Sequence, residues 1–328
     1  MATEGIAKWP DAGGSTGMYE SFYLRVVSPD EPVSVWIRYT VQKAAGREPK
    51  ASIWFTVFDE SKGRPFARKF TTMAESSGID PAIWIRVGES TMGPGSVAGS
   101  IDGASWSLEV SDSDLPLSHL PRRWMYRSPI PKTKPESPAP FARFSGRVEC
   151  DGRNYELDGW PGMLGHNWGG EHAWTWVWLN GAAFAEDPEA WIDVVLGRVR
   201  VAGRLLPWVA NGALRVNGLR HRIGGLPRRG VVVDAEPGRA TMKIPGAGGR
   251  LAEVELSAPR DSTVAWTYAS PDGHQHDVLN CSIAGISVKF TDQNGSRHGL
   301  SSDHGGTYEL GLADRQDWLP LEPYADEW

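Results

Sequence analysis

Val33-Ser-Val-Trp-Ile-Arg-Tyr-Thr-Val41 decides the fold class. Val33, Val35, Ile37, Tyr39 and Val41 fall on one face, and Ser34, Trp36, Arg38 and Thr40 on the other. That is the two-residue period of a strand, not the 3.6 of a helix. Working outward, Tyr19 to Val27 reads as a strand joined to it through the turn Ser28-Pro-Asp-Glu-Pro32, a hairpin. Ala51-Ser-Ile-Trp-Phe-Thr-Val-Phe58 is a third strand, ended by Asp59-Glu-Ser-Lys-Gly63. Similar segments recur at 82–87, 105–110, 143–149, 172–179, 191–201, 230–233, 251–256, 262–269, 278–283 and 286–290. Short strands at near-regular spacing point to barrels or sandwiches. The best helical candidates, 111–120 and 186–191, are short, and Pro116 interrupts the first. The expectation is an all-β protein.

The chain has 328 residues, enough for two domains or one large β unit. Its 34 basic and 40 acidic residues give a net charge of −6, which argues against nucleic-acid partners and anionic lipid surfaces. Cys150 and Cys281 read as free, buried thiols rather than a disulfide framework or a zinc set. The polar, Gly-rich start lacks a signal-peptide pattern, and no apolar run nears the roughly 18 residues of a membrane helix, so the cytoplasm is expected. There is no dinucleotide fingerprint, phosphate loop, His-Glu-x-x-His or Gly-x-Ser-x-Gly, and no cofactor or metal is expected. Ser128 to Pro140 carries five prolines without periodicity and reads as a long extended surface loop. The division between halves is placed after residue 184, giving 1–184 and 185–328.

Tryptophan is the anomaly, at 16 against 8 Tyr and 9 Phe. The densest stretch runs from Asp158 to Trp178. In it His172, Trp174, Trp176 and Trp178 alternate onto one face, and His166 and Trp168 lie two apart upstream. Leu or Val would fill a core without an indole N–H to satisfy, so this face suggests a pocket. Further on, Trp191 and Asp193 share a face. A carboxyl in an apolar strand must be hydrogen-bonded or protonated, and a raised-pKa carboxyl is a general acid. The plainer readings are a backbone-bonded core histidine for His166, a turn cap or arginine partner for Asp193, and ordinary sheet packing for the indoles.

Gly165-His-Asn-Trp-Gly169 with Trp176-x-Trp178 resembles the signature of the carotenoid 1,2-hydratase family, within an AttH-like, lipocalin-like group that includes tocopherol cyclase and decalin-forming Diels–Alderases. Glu20-Ser-Phe-Tyr23, Val35-Trp-Ile-Arg-Tyr39 and Ile53 to Asp59 are similar to that group's first strands, and Asn280-Cys-Ser-Ile283 and Thr307 to Gly311 to its last. The resemblance implies two lipocalin-like antiparallel β domains around an apolar pocket. It implies a cofactor-free hydratase or cyclase acting on an isoprenoid or polyene. His166 with Trp168 matches a His-x-Trp pair, and Trp191 with Asp193 a Tyr-x-Asp pair in which Trp replaces Tyr. On this reading His166 and Asp193 are catalytic, and Trp168, His172, Trp174, Trp176, Trp178 and Trp191 bind substrate. Indole faces can stabilise a carbocation by up to about 2 kcal/mol each when desolvated.

The alternatives are a non-catalytic carrier of a hydrophobic small molecule and a Trp-stiffened structural scaffold with no cavity. His274, His276, His298 and His304, with Asp272, Asp277 and Asp303, could suggest a metal, but their setting is that of hairpin turns. Arg220 to Arg229 reads as a solvated loop.

Overall fold

The computed structural model describes residues 7–8, 17–74, 80, 82–201, 203–225 and 230–314. Its strands are β1 (Met18–Val27), β2 (Val33–Lys43), β3 (Lys50–Asp59), β4 (Phe66–Met73), β5 (Ile85–Val87), β6 (Ser90–Met92), β7 (Ser96–Ile101), β8 (Ala104–Ser111), β9 (Leu117–Ser118), β10 (Thr133–Cys150), β11 (Arg153–Gly169) and β12 (Thr175–Gly181). They continue with β13 (Trp191–Arg198), β14 (Arg200–Val201), β15 (Arg204–Leu205), β16 (Val209–Val216), β17 (Leu219–Gly224), β18 (Val232–Glu236), β19 (Arg239–Pro245), β20 (Leu251–Ser257), β21 (Val264–Ala269), β22 (Gln275–Thr291) and β23 (Arg297–Leu312). The only helical pieces among the described residues are single 3₁₀ turns.

Two curled antiparallel sheets result, a near-barrel and a half-barrel, consistent with the expected pair of lipocalin-like domains. The first runs β4-β3-β2-β1-β11-β10-β8-β7-β6-β5, with β9 beside β10. The second runs β17-β16-β13-β12-β23-β22-β20-β19-β18, with β21 beside β22. The chain crosses between sheets between Gly169 and Thr175, so β12 pairs in the second sheet although it precedes residue 184.

Strands β1 to β3 are buried along nearly their whole length, on both faces. Phe22, Leu24, Val35, Ile37, Tyr39 and Leu164 pack inside the first sheet. Their chain neighbours Tyr23, Trp36, Trp54 and Met163 pack against residues of the second. The alternation in Val33 to Val41 therefore marks two dry surfaces, not one dry and one wet. Arg25 bolts the sheets together. Fully buried, it donates through Nη2 to the carbonyls of Ser282 (2.8 Å) and Gly306 (3.3 Å), beside register shifts in the β22–β23 pairing. Burial lowers its pKa to about 9.

Several sequence expectations are corrected. Residues 133–140 of the proline-rich stretch are not a surface loop but the first half of β10, and Ser137 is fully buried. The register against β11 shifts between Glu136 and Ala139, around Pro138, which has no N–H to give the ladder. Neither 111–120 nor 186–191 is helical; they contribute β9 and the start of β13. Residues 219–224 of the basic segment form β17, and 226–229 lie outside the described residues. Cys150 and Cys281 are free and buried. No helix among the described residues is long and apolar enough to cross a membrane.

Gly165 fits this layering by having no side chain. A Cβ there would stand 2.2 Å from Cζ of Tyr23, whose ring meets Trp178 of the second sheet edge-on at 5.1 Å. Gly165→Ala is expected to destabilise the fold by roughly 1–3 kcal/mol, an overpacking cost. Urea denaturation checks this; an unchanged midpoint would contradict the Tyr23 placement.

Candidate functional site

Two buried polar units surround His166 and Asp193, set back to back across the first sheet. The first is Glu20–His166–Glu136. Strand pairing places Phe22 opposite His166 and Glu20 opposite Trp168, and His166 opposite Glu136 on the other side. His166 Nε2 lies 2.7 Å from Glu20 Oε1, and its Nδ1 lies 2.8 Å from Glu136 Oε1. The imidazole is sandwiched between Phe22 (4.0 Å, 2° between planes) and Trp168 (4.6 Å, 26°). His166 is completely buried, and both carboxyls nearly so.

Hydrogen counting sets a requirement on this unit. A neutral imidazole has one N–H and carboxylates have none, so at least one contact would set acceptor against acceptor. A second hydrogen removes the conflict. Burial opposes charging the ring, but hydrogen bonds to Glu136 and Glu20, with their charges, outweigh it and hold the pKa above its usual value. With the second hydrogen on the ring, His166 is an imidazolium facing two carboxyl groups. The Lys8 backbone N–H also donates to Glu20 Oε1 (2.7 Å), and its ammonium lies 4.8 Å from the Trp168 ring. The three side chains do not converge as metal ligands would, because the two ring nitrogens point apart. No group of three or more His, Cys, Asp or Glu side chains among the described residues is arranged to hold a metal ion.

The second unit surrounds Asp193 in the seam between the sheets. Ser137 Oγ donates to Asp193 Oδ2 (2.5 Å), and Trp178 Nε1 donates to Asp193 Oδ1 (3.1 Å). His119 Nε2 is 3.0 Å from Ser137 Oγ and 3.3 Å from Asp193 Oδ2, while its Nδ1 faces the Asn211 carbonyl at 3.0 Å. Asp193 and Ser137 are fully buried.

His166 and Asp193 therefore do not share one chamber. Their partners Glu136 and Ser137 are consecutive on β10 and point to opposite faces. Among the six expected substrate-binding residues, Trp168 stacks on His166. Trp178 binds Asp193. Trp176 donates to Glu309 (2.9 Å) and stacks with His172 at 5.6 Å, beside Tyr268 and His276. Trp191 donates to Asp114 (2.9 Å) under Arg220, and Trp174 lies under Arg200 at 3.5 Å, so both sit apart from the other four. Of the C-terminal histidines, His276 packs beside Trp176 and His172. His274 pairs with Asp272 in an exposed turn, His298 faces Asp292, and His304 contacts the Ser28 carbonyl.

No family model matches the chain. Two uncharacterised proteins of Mycobacterium tuberculosis, from strains CDC 1551/Oshkosh and H37Rv, are each 25% identical over 296 residues, 89% of this chain and 86% of theirs. Among solved structures, an AttH-assigned protein of Nitrosomonas europaea superposes with a TM-score of 0.54 at 12% identity, covering 94% of this chain and 97% of that one. Kievitone hydratase from Nectria haematococca gives 0.52 at 11%, covering 94% and 91%. At these identities the likeness establishes the fold.

Sequence reading overlooked Glu20, His119, Glu136 and Ser137 as site residues. Glu20 stood in a quoted strand, and its period-two phase with Phe22 was the signal available. Glu136 and Ser137 were hidden by the prolines around them, and His119 by a segment with no clear period.

The His166 shift has a sign that can be checked. The folded value lies above the ~6.5 of an unfolded chain. The protonated ring thus adds stability that is complete below about pH 6.5 and is lost as pH rises through the folded value. Glu136→Gln is expected to lower the His166 titration midpoint, followed by imidazole NMR; an unmoved midpoint would contradict the coupling. Asp193→Ala leaves Trp178 Nε1 without its acceptor and takes one contact each from Ser137 and His119, and is expected to cost roughly 1–3 kcal/mol by chemical denaturation.

Proposed function

We propose that the chain is a cofactor-free proton-transfer enzyme that hydrates or cyclises an apolar, alkene-bearing small molecule of the isoprenoid or polyene class. The observation that carries the reading is the buried imidazole hydrogen-bonded at both nitrogens to carboxylates and stacked on an indole. A kievitone hydratase shares the fold, which supports a hydratase over a carrier.

On this reading substrate entry displaces one carboxyl from His166, and the freed N–H gives its proton to an alkene carbon whose π pair forms the new C–H bond. The adjacent carbon becomes a cation. Water or a second alkene then adds to it, and the proton released returns to the Glu20–His166–Glu136 unit. Asp193, expected from sequence to be the acid, is engaged by Ser137, Trp178 and His119 and is read here as the residue that orders the seam.

Incubation with acyclic isoprenoid polyenes in D₂O, followed by mass spectrometry, tests the proposal. The expected product carries one carbon-bound deuterium, with or without added water. His166→Gln and Glu136→Gln, shown to be folded, are expected to slow turnover by about 10²–10⁴-fold, the usual worth of a positioned acid. Equal rates in parent and variants would sink the assignment. Saturable binding without deuterium uptake in the parent would favour the carrier.

A further inference from the structure

Two exposed segments at one end of the molecule differ in character from the rest of the surface. One is the loop 121–132 that leads into β10, and the other is the β14–β15 hairpin, which stands outside both large sheets. The strand registers put them at the same end. Thr133 pairs with Gly169 in the first sheet, and in the second Thr175 pairs with Arg198 and Gly197 with Val209. A short crossing joins Gly169 to Thr175. Pro121 lies beside Gly225, where an added Cβ would stand 4.0 Å from its own, and the Gly225 N–H donates to the Ala210 carbonyl (2.8 Å).

Half of the large apolar side chains exposed among the described residues lie on these two segments: Trp124 and Ile130 on the loop, Val199, Val201 and Leu206 on or beside the hairpin. Trp124, at 64%, is the one exposed tryptophan among the described residues. Arg122, Arg123, Arg127, Arg200 and Arg204 stand among these apolar groups, exposed and in no ion pair among the described residues. The sequence has no acidic residue from 115 to 135 or from 194 to 233. Glu171 and Asp272, carboxyls of the same end, pair with Lys132 and His274. The net charge of −6 averages over the whole chain, whereas a charged surface senses groups within a screening length of about 8 Å. Both segments hold their shape. Met125 and Arg127 N–H groups donate to the carbonyls of Arg122 and Trp124 (3.0 Å each), and the buried Lys134 ammonium donates to the Ser128 carbonyl (2.8 Å). On the hairpin, the Leu206 N–H donates to the Val199 carbonyl (3.0 Å), and Arg200 lies 3.5 Å over Trp174.

Apolar tips interleaved with arginines match a lipid surface, where indole and aliphatic groups enter the headgroup layer and guanidiniums meet phosphates. A nucleic acid would use the arginines but gives no reason for exposed Ile130 and Val201. We propose that this end of the molecule docks on an anionic phospholipid surface, with Trp124, Ile130 and Val201 as inserted groups and Arg122, Arg123 and Arg200 as phosphate ligands. Tyr126, on the same loop, lies 5.8 Å from the Trp168 ring that stacks on His166, so the docked loop borders that buried unit. The surface stands independently of the reaction proposed above.

Sedimentation of the full chain with vesicles tests this, using phosphatidylcholine alone and phosphatidylcholine with about one third phosphatidylglycerol. The chain is expected to bind the anionic vesicles at least tenfold more tightly, and less tightly as salt is raised. The positions to be changed are all exposed, so the variants keep the fold. Gln at both Arg122 and Arg123 is expected to weaken binding at least tenfold, a severalfold loss for each charge removed near the surface. Trp124→Ala and Val201→Asp are each expected to weaken it severalfold. Brominated lipid chains are expected to quench tryptophan fluorescence in the parent and less in Trp124→Ala. No binding to either vesicle, equal binding to both, or undiminished binding in any of the three variants would overturn the proposal. Retention of single-stranded RNA in preference to anionic vesicles would overturn it too, and assign the arginines to nucleic acid.

Discussion

A sheet with dry surfaces on both sides is the constraint from which the rest of the molecule follows. In most half-buried strands one set of alternate residues meets water and can be polar at no cost. Here β1 to β3 face the first sheet's interior on one side and the second sheet on the other. Polar residues on either face must find partners inside the protein, since an unpaired buried group costs about 1–3 kcal/mol. Arg25 reaches carbonyls of the second sheet, Gln42 reaches the Ala269 carbonyl, and Ser21 reaches Asn167. Some atoms remain unmatched, among them Arg25 Nε and Nη1, Trp36 Nε1, Trp266 Nε1 and His172 Nε2.

The same constraint explains how one strand serves two sites. Because β10 is covered on both faces, Glu136 and Ser137 lie one residue apart yet in separate dry environments. Each completes a hydrogen-bonded unit whose other members come from distant segments: Glu20 and His166 on one side, His119, Trp178 and Asp193 on the other. Tryptophan suits such a seam. An indole covers a large area and carries one donor, and Trp176, Trp178 and Trp191 each spend that donor on a carboxylate.

Much of the fold was legible in the sequence because period-two alternation needs no knowledge of the partner strand. The hairpin from Tyr19 to Val41 and the third strand to Phe58 lie where the alternation puts them. Which face would be wet was not legible: Ser34, Arg38 and Thr40 read as a polar face, and only the second sheet makes that face dry. At the site, His166 and Asp193 stood out as polar groups amid aromatic residues, and both are buried and hydrogen-bonded. Their separation onto opposite faces was illegible, because it depends on β10, whose prolines argued against a strand until the register shift around Pro138 accommodated them. Glu136 and Ser137 were lost for the same reason.

The account turns on the buried imidazole being charged, with both ring contacts attractive and a transferable proton on the ring. Neutron diffraction at neutral pH locates those hydrogens directly. Nuclear density on both Nδ1 and Nε2 of His166, with Glu20 and Glu136 bare, is the expected result. A single hydrogen on the ring, with or without the other on Glu20 or Glu136, would contradict it.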